Sequence, residues 1–368
     1  MDKSKVFFTN MRTFDRESLL DKFKRLIVKS GFDTIDFTNK FVAIKLNFGE
    51  EGNLAYLRHN YAKVLVDMIK ERGGKPFLTD CNTLYVGYRT NALDHLDCAY
   101  NHGYNPLSAG CHVIIADGLK GTDDIEVPVD GEYVKSAKIG RAVMDADVFI
   151  SLTHFKAHES AGIGGALKNI GMGCGSRAGK MEMHYSGKPR VDSDLCIGCK
   201  GCVKICGQSA IDFIDKKSVI SEDRCVGCGR CIGVCPVHAI SPTNSNSNEL
   251  LNCRMAEYAK AVVQDRPCFH INLAIDISPF CDCHSTNDIP IIPDVGMFAS
   301  FDPVAIDHAS TTACNTMPPH ANSLLSEHAH DYEDHFKAIA PTSDWYGCLE
   351  HAQKIGVGTM DYDLITVK

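Results

Sequence analysis

Residues 60–80, NYAKVLVDMIKERGGKPFLTD, decide the fold. Leu65, Met68 and Ile69 recur at helical spacing and give one apolar helix face. Gly73-Gly74 stops that helix, and PFLTD follows as a strand. Just upstream, residues 40–48 (KFVAIKLNF) are apolar and β-branched, as in another strand. The helix-then-strand order returns at 138–152 (KIGRAVMDADVFISL), 250–278 (LLNCRMAEYAKAVVQDRPCFHINLAIDIS) and 346–367 (YGCLEHAQKIGVGTMDYDLITV). Such alternation predicts an α/β fold with a mostly parallel sheet.

Between these flanks lie eight cysteines in two runs. Cys196, Cys199, Cys202 and Cys206 follow C-x2-C-x2-C-x3-C, and Cys225, Cys228, Cys231 and Cys235 repeat it. Pro236 closes the second run, and Gly207 stands where a proline would close the first. This spacing suits [4Fe-4S] cubanes, the fourth cysteine of each run ligating the other cluster. One ligand set is then Cys196, Cys199, Cys202 and Cys235; the other is Cys225, Cys228, Cys231 and Cys206. Structural zinc sites instead take C-x2-C pairs set far apart. The same offset maps Asp194 onto Asp223, Gly198 onto Gly227, Ala210 onto Ala239 and Ile211 onto Ile240. The Ala-Ile pairs predict a small apolar shell over each cluster. Gly207 removes no ligand, but it frees an N–H that could tune a cluster by hydrogen bonding. Residues 191–242 resemble a clostridial-type two-cluster ferredoxin. The expected organisation is an α/β part at 1–190, a small α+β ferredoxin-like insert at 191–242 and a second α/β part at 243–368. The polar run SPTNSNSNELL (241–251) would be the return linker. One interrupted α/β domain and two flanking ones both fit this order.

The chain has 368 residues, 44% of them apolar and 23% charged, so it can build a core without disulfide staples. Its eighteen cysteines therefore point to metal or redox chemistry in a reducing, cytoplasmic setting. No secretory signal or membrane span is expected. A net charge of −8 without a basic face argues against nucleic-acid partners. Exposed clusters and free thiols suggest an anaerobic host.

Residues 152–180, LTHFKAHESAGIGGALKNIGMGCGSRAGK, hold Lys156, His158, Lys168, Asn169 and Cys174 among seven glycines. Glycines at a strand-to-helix junction can bare backbone N–H groups to an anion, and lysines add charge. A packing helix with solvated lysines would look the same. Neither a Walker A motif nor a dinucleotide fingerprint is present in the right context. Residues 276–296, DISPFCDCHSTNDIPIIPDVG, place Cys281, Cys283 and His284 where a further metal could bind, although two ordinary thiols fit as well. In SFDPVAIDHAS, Asp302 would cap a helix that has Pro303 at its first position, with Asp307 and His308 one turn on in structural roles.

VAIKLNFG (42–49), FKAH, GALKNIGMGC, DISPFCDCH and PDVGMFASFDPVAID are similar to the DUF362 family, which is associated with iron–sulfur proteins of unsettled function. The resemblance points to Lys45 and Asn47, Lys156 and His158, Lys168 and Asn169, Cys281 and Cys283, and Asp302 and Asp307, without assigning roles. Three lysines at strand ends could converge at the carboxyl edge of the sheet and hold a carboxylate, a phosphate or a flavin phosphate. The leading expectation is an electron-transfer protein. Its two clusters would pass low-potential electrons to or from that site or a partner redox enzyme. An oxidoreductase and a carrier remain equally open. The alternatives are a structural or oxygen-sensing cluster protein, and a metal-centre maturation factor resting on Cys174, Cys281 and Cys283.

Overall fold

A computed structural model of the chain describes all residues except 1–2, 15, 85–86, 185–187, 207, 226–230, 232–233, 238, 243–247 and 329–332. Eight strands form one sheet: β1 (Ser4–Thr9), β2 (Phe41–Lys45), β3 (Lys75–Asp80), β4 (Val113–Ile115), β5 (Val148–His154), β6 (Cys268–Ala274), β7 (Gly296–Ser300) and β8 (Tyr362–Thr366). Their order is β8-β1-β7-β6-β5-β2-β3-β4. β7 runs antiparallel to both β1 and β6, and the other pairings are parallel. The fold is thus mixed α/β with a mostly parallel sheet. β5, before the cysteine runs, pairs with β6, which follows them, so the two flanks share one sheet.

Parallel strands buried on both faces need apolar residues at consecutive positions. In β2, Val42 and Ile44 enter the core on one side of the sheet and Ala43 the core on the other. β5 divides the same way, with Val148 and Ile150 opposite Phe149. Helices α1 (Leu19–Lys29), α2 (His59–Glu71) and α3 (Ala92–Asn101) come from the first flank. In α1, Ser18 and Asp21 form a reciprocal capping box. In α2, Leu65, Met68 and Ile69 are fully buried, as their spacing predicts. Residues 138–152 depart from expectation: the helix there is a single turn, Arg141–Met144.

Helices α4 (Ala166–Cys174), α5 (Arg177–His184), α6 (Asn248–Val263), α7 (Pro303–Asn315) and α8 (Trp345–Lys354) follow. α6 begins at Asn248, so the end of the expected return linker is already helical. A Cβ on Gly171 would sit 2.1 Å from the Met255 carbonyl oxygen, so glycine here lets α4 and α6 touch backbone to backbone. Asp302 caps α7 through the N–H groups of Val304 and Ala305, with Pro303 in the first turn.

Candidate functional site

In a doubly wound sheet, ligands bind where the direction of strand addition reverses, outside the strands' carboxyl ends. Here that point lies between β2 and β5, where Lys45 ends one strand beside Ser151 of the other. A cleft of about 960 Å³, part of it open to solvent, occupies the position. Lys45, Asn47, Lys156, His158, Lys168 and Asn169 all line it, so residues from three separate stretches of sequence meet at one place.

Lys45 is 1% exposed. Its Nζ lies 2.9 Å from Asp80 Oδ1, at the end of β3, and donates to Asn169 Oδ1 at 2.9 Å. The Asn169 amide in turn donates to the Lys45 carbonyl at 3.1 Å and to Thr153 Oγ1 at 3.0 Å, which ties α4 to both strand ends. Gly173 is the residue that makes room, since a Cβ there would stand 2.4 Å from Lys45 Nζ. Burial would raise the Asp80 carboxyl, but the neighbouring cations, Lys45 foremost, outweigh it and its pKa lies below the ordinary value. Asn47 accepts from Arg89 Nη1 at 2.6 Å, and Arg89 also meets Glu50 Oε2 at 3.2 Å. Arg89 is 1% exposed, lines the cleft, and leaves its Nη2 without a partner among the described residues. Lys180 on α5 adds another buried ammonium, donating to the Gly175 carbonyl at 2.6 Å.

The cysteine loop closes one wall. Asp282, fully buried between the two thiols, accepts from His154 Nδ1 at 2.9 Å and pairs with Lys156 Nζ at 3.2 Å. Burial opposes its charge, but His154 and Lys156 hold its pKa below the ordinary value. Cys281, Cys283 and His158 bring their ligand atoms within 4.8 Å of one another. His284, expected beside the thiols, turns away: its Nε2 lies 2.8 Å from Glu159 Oε1, and His158 takes its place. Lys168 Nζ stands 3.5 Å from Cys281 Sγ. Cys174 does not join them. It is buried at the end of α4, where burial pushes its thiol up to about 11.

The expected anion site at the glycine-rich helix start is filled from within the chain. Asp307 on α7 accepts from the N–H groups of Ala166 at 2.6 Å and Leu167 at 2.9 Å, so α4 is capped by a carboxylate of another helix. The positive side chains of the cleft, rather than these amides, are what could hold an anion.

The family model for a domain of unknown function, DUF362, matches residues 42–312. The chain belongs to the DUF362 family. No curated protein matches it in sequence. Among solved structures, the DUF362 chain is similar to the lactate racemase apoprotein from Thermoanaerobacterium thermosaccharolyticum, at 12% identity and a TM-score of 0.38, covering 74% of this chain and 51% of that one. It is also similar to a protein from Thermotoga maritima, at 13% identity and a TM-score of 0.44, covering 84% of this chain and 60% of that one. It therefore spans less than two thirds of either structure.

The cysteine-rich insert of this DUF362 chain has an internal two-fold pattern. Strand Pro189–Val191 pairs antiparallel with Ile240–Pro242, and Ile211–Ile214 with Lys217–Ile220. The Ala210 N–H points at Cys206 Sγ at 3.3 Å, and the Ala239 N–H at Cys235 Sγ at 3.2 Å. The Asp192 N–H donates to the Ala239 carbonyl, and its counterpart Ser221 donates to that of Ala210. Cys202, Ile211, Cys231 and Ile240 form a small core, with Cys206 and Cys235 packed against it. Cys196, Cys199, Cys202 and Cys235 are among the residues that line a pocket of about 300 Å³, part of it open to solvent. N–H groups of Ser218 and Gly198 draw the Cys196 thiol below its ordinary pKa. Cys228, Gly207 and Gly227 lie outside the described residues.

Asp80, Arg89, Lys180 and Asp282 are site residues that sequence reasoning missed. Asp80 left a usable signal, an acid at the last position of a buried strand. Arg89 left none, for YVGYRTN carries no motif. Among the described residues, no helix is long and apolar enough to cross a membrane.

Proposed function

We propose that this DUF362 protein is an iron–sulfur electron-transfer protein. It exchanges electrons between its cysteine-rich insert and a small anionic molecule held in the switch-point cleft, or a redox partner protein. The observation that carries this reading is the cavity lined by Cys196, Cys199, Cys202 and Cys235. Three thiols of the first run meet the last thiol of the second, the crossed set that a two-cluster ferredoxin needs.

The donor set fits the group it would hold. The four thiols line one pocket, the Ala239 N–H points at Cys235 Sγ, and the buried Ala239 and Ile240 line the pocket with them. Cys225, Cys228, Cys231 and Cys206 would hold the second cluster. When bound, [4Fe-4S] clusters supply one-electron transfer. The chain's own residues do the rest. The N–H groups of Ser218 and Gly198 favour the thiolate of Cys196. The insert is tied to the cleft at both ends: His184 on the helix that enters it and Leu251 on the helix that leaves it both line the cleft. Within the cleft, Lys156, Lys168, Lys180 and Arg89 would orient a carboxylate or phosphate, while Met172, Leu251 and Met255 keep water from one wall.

Iron, zinc and acid-labile sulfide measured on anaerobically purified chain test the reading. About eight iron and eight sulfide per chain are expected for two cubanes. Zinc without sulfide would replace the clusters with thiolate zinc sites and end the proposal.

A further inference from the structure

We infer that Cys281 and Cys283 form a reversible dithiol–disulfide couple opening on the basic cleft. Cys283 lines the cleft, while Cys281 lies fully buried behind it. The two sulfurs are within 4.8 Å. Cys281 is surrounded by donors: the Lys168 ammonium at 3.5 Å and the Cys283 backbone N–H at 3.4 Å. His158 adds a third. Its Nδ1 accepts the N–H groups of Ser160 at 3.1 Å and Ala161 at 3.0 Å, so the ring's own proton sits on Nε2.

That tautomer separates a dithiol from a metal site. A histidine ligand offers a bare nitrogen to the ion and usually donates its other N–H to an acceptor. His158 has the reverse arrangement, with donors aimed at Nδ1 and a proton on the remaining nitrogen. Lys168 already places a cation against Cys281, where a metal would bring a second one. The Cys283 S–H, with Lys168 and His158, stabilises a thiolate at Cys281 against its burial, so its pKa lies well below the ordinary value, while the bond to Cys281 raises that of Cys283. Thiolate next to thiol is the reduced state of an exchanging pair. At Cys314, by contrast, burial alone acts, and it raises the thiol.

The oxidant class is a low-molecular-weight disulfide. Cys283 passes its proton to Cys281 and, as thiolate, attacks one sulfur of the entering disulfide. The entering S–S bond breaks, one small thiolate leaves, and a mixed disulfide forms on Cys283. The departing thiolate takes the proton back from Cys281, whose thiolate then attacks Cys283 Sγ and expels the second small thiolate. In sum, one thiolate and one thiol of the protein become a disulfide, and one small disulfide becomes a thiol and a thiolate. The couple needs nothing from the insert.

The test uses full-length, anaerobically purified protein and 2-hydroxyethyl disulfide, with alkylation and peptide mass spectrometry. The peptide carrying Cys281 and Cys283 should become two hydrogens lighter and resist alkylation, while Cys314 stays unoxidised. Cys281→Ser should stop the reaction at one small-thiol adduct on Cys283. Lys168→Met should slow oxidation about tenfold by withdrawing the charge that favours the thiolate. Full alkylation of both cysteines at every disulfide concentration would overturn the couple. So would a stoichiometric metal ion lost from the wild-type protein on Cys281→Ser replacement.

Discussion

The insert and the switch-point cleft both gather cysteines, but they surround them differently. In the insert, sulfurs face backbone N–H groups and apolar side chains such as Ile211 and Ile240. In the cleft, Cys281 faces an ammonium, and the next residue, Asp282, is held by His154 and Lys156. Backbone amides and apolar cover leave room for a group that brings its own charge. Side-chain cations instead favour a thiolate, the state that the proposed dithiol couple needs. The same residue type is thus set in two different surroundings, and the two proposals rest on that difference.

Cys202→Ser and Cys283→Ser break this comparison most sharply. Cys202→Ser should remove about half of the iron, the content of one cubane, while Cys283→Ser should leave iron unchanged. Metal analysis that found equal losses would merge the two regions into one site. Next in size is Lys45→Met. It leaves Asp80 buried beside one cation fewer and should cost about 3–5 kcal/mol by denaturant unfolding. The insert counterpart, Lys217→Met, loses a bond from a partly exposed side chain to the Cys196 carbonyl and should cost about 1 kcal/mol or less. Gly171→Ala should cost about 1–3 kcal/mol, because its Cβ meets the α6 backbone rather than a side chain that can turn away.

The cap of α4 adds a pH dependence. Burial raises the Asp307 carboxyl to about 6 from an ordinary 3.8. The folded protein therefore binds that proton more tightly than the unfolded chain does. This contribution to stability is complete below about pH 4 and is lost as pH rises through about 6. Asp307→Ala should flatten that part of the stability curve, and removing the cap of α4 should lower stability by about 1–2 kcal/mol. An unchanged curve would show that the carboxyl titrates normally.

The sequence made the alternation of helix and strand legible because apolar periodicity is local, as at Leu65, Met68 and Ile69. The antiparallel β7 was not legible: nothing in GMFAS tells which neighbour it will meet or in which direction. Lys45, Asn47, Lys156, His158, Lys168 and Asn169 were picked out by family resemblance, and the seven glycines between Gly162 and Gly179 marked close backbone approach there. Their partners were harder. Arg89 reaches the cleft from a 3-10 turn with no periodic signal. Asp307 looked like a local helix residue but caps a helix 140 positions away in the chain. The imidazole beside the thiols was misplaced because adjacency in sequence favoured His284, whereas a hairpin, Lys156–His158 with Gly162–Gly164, brings in His158.

Electron paramagnetic resonance of the anaerobic protein, before and after dithionite, tests the central claim most directly. The account predicts a signal of reduced, cysteine-ligated [4Fe-4S] clusters that appears on reduction and weakens in Cys202→Ser. A protein that carries iron and sulfide yet yields no reducible cluster signal would contradict electron transfer and leave the insert a structural or sensing element.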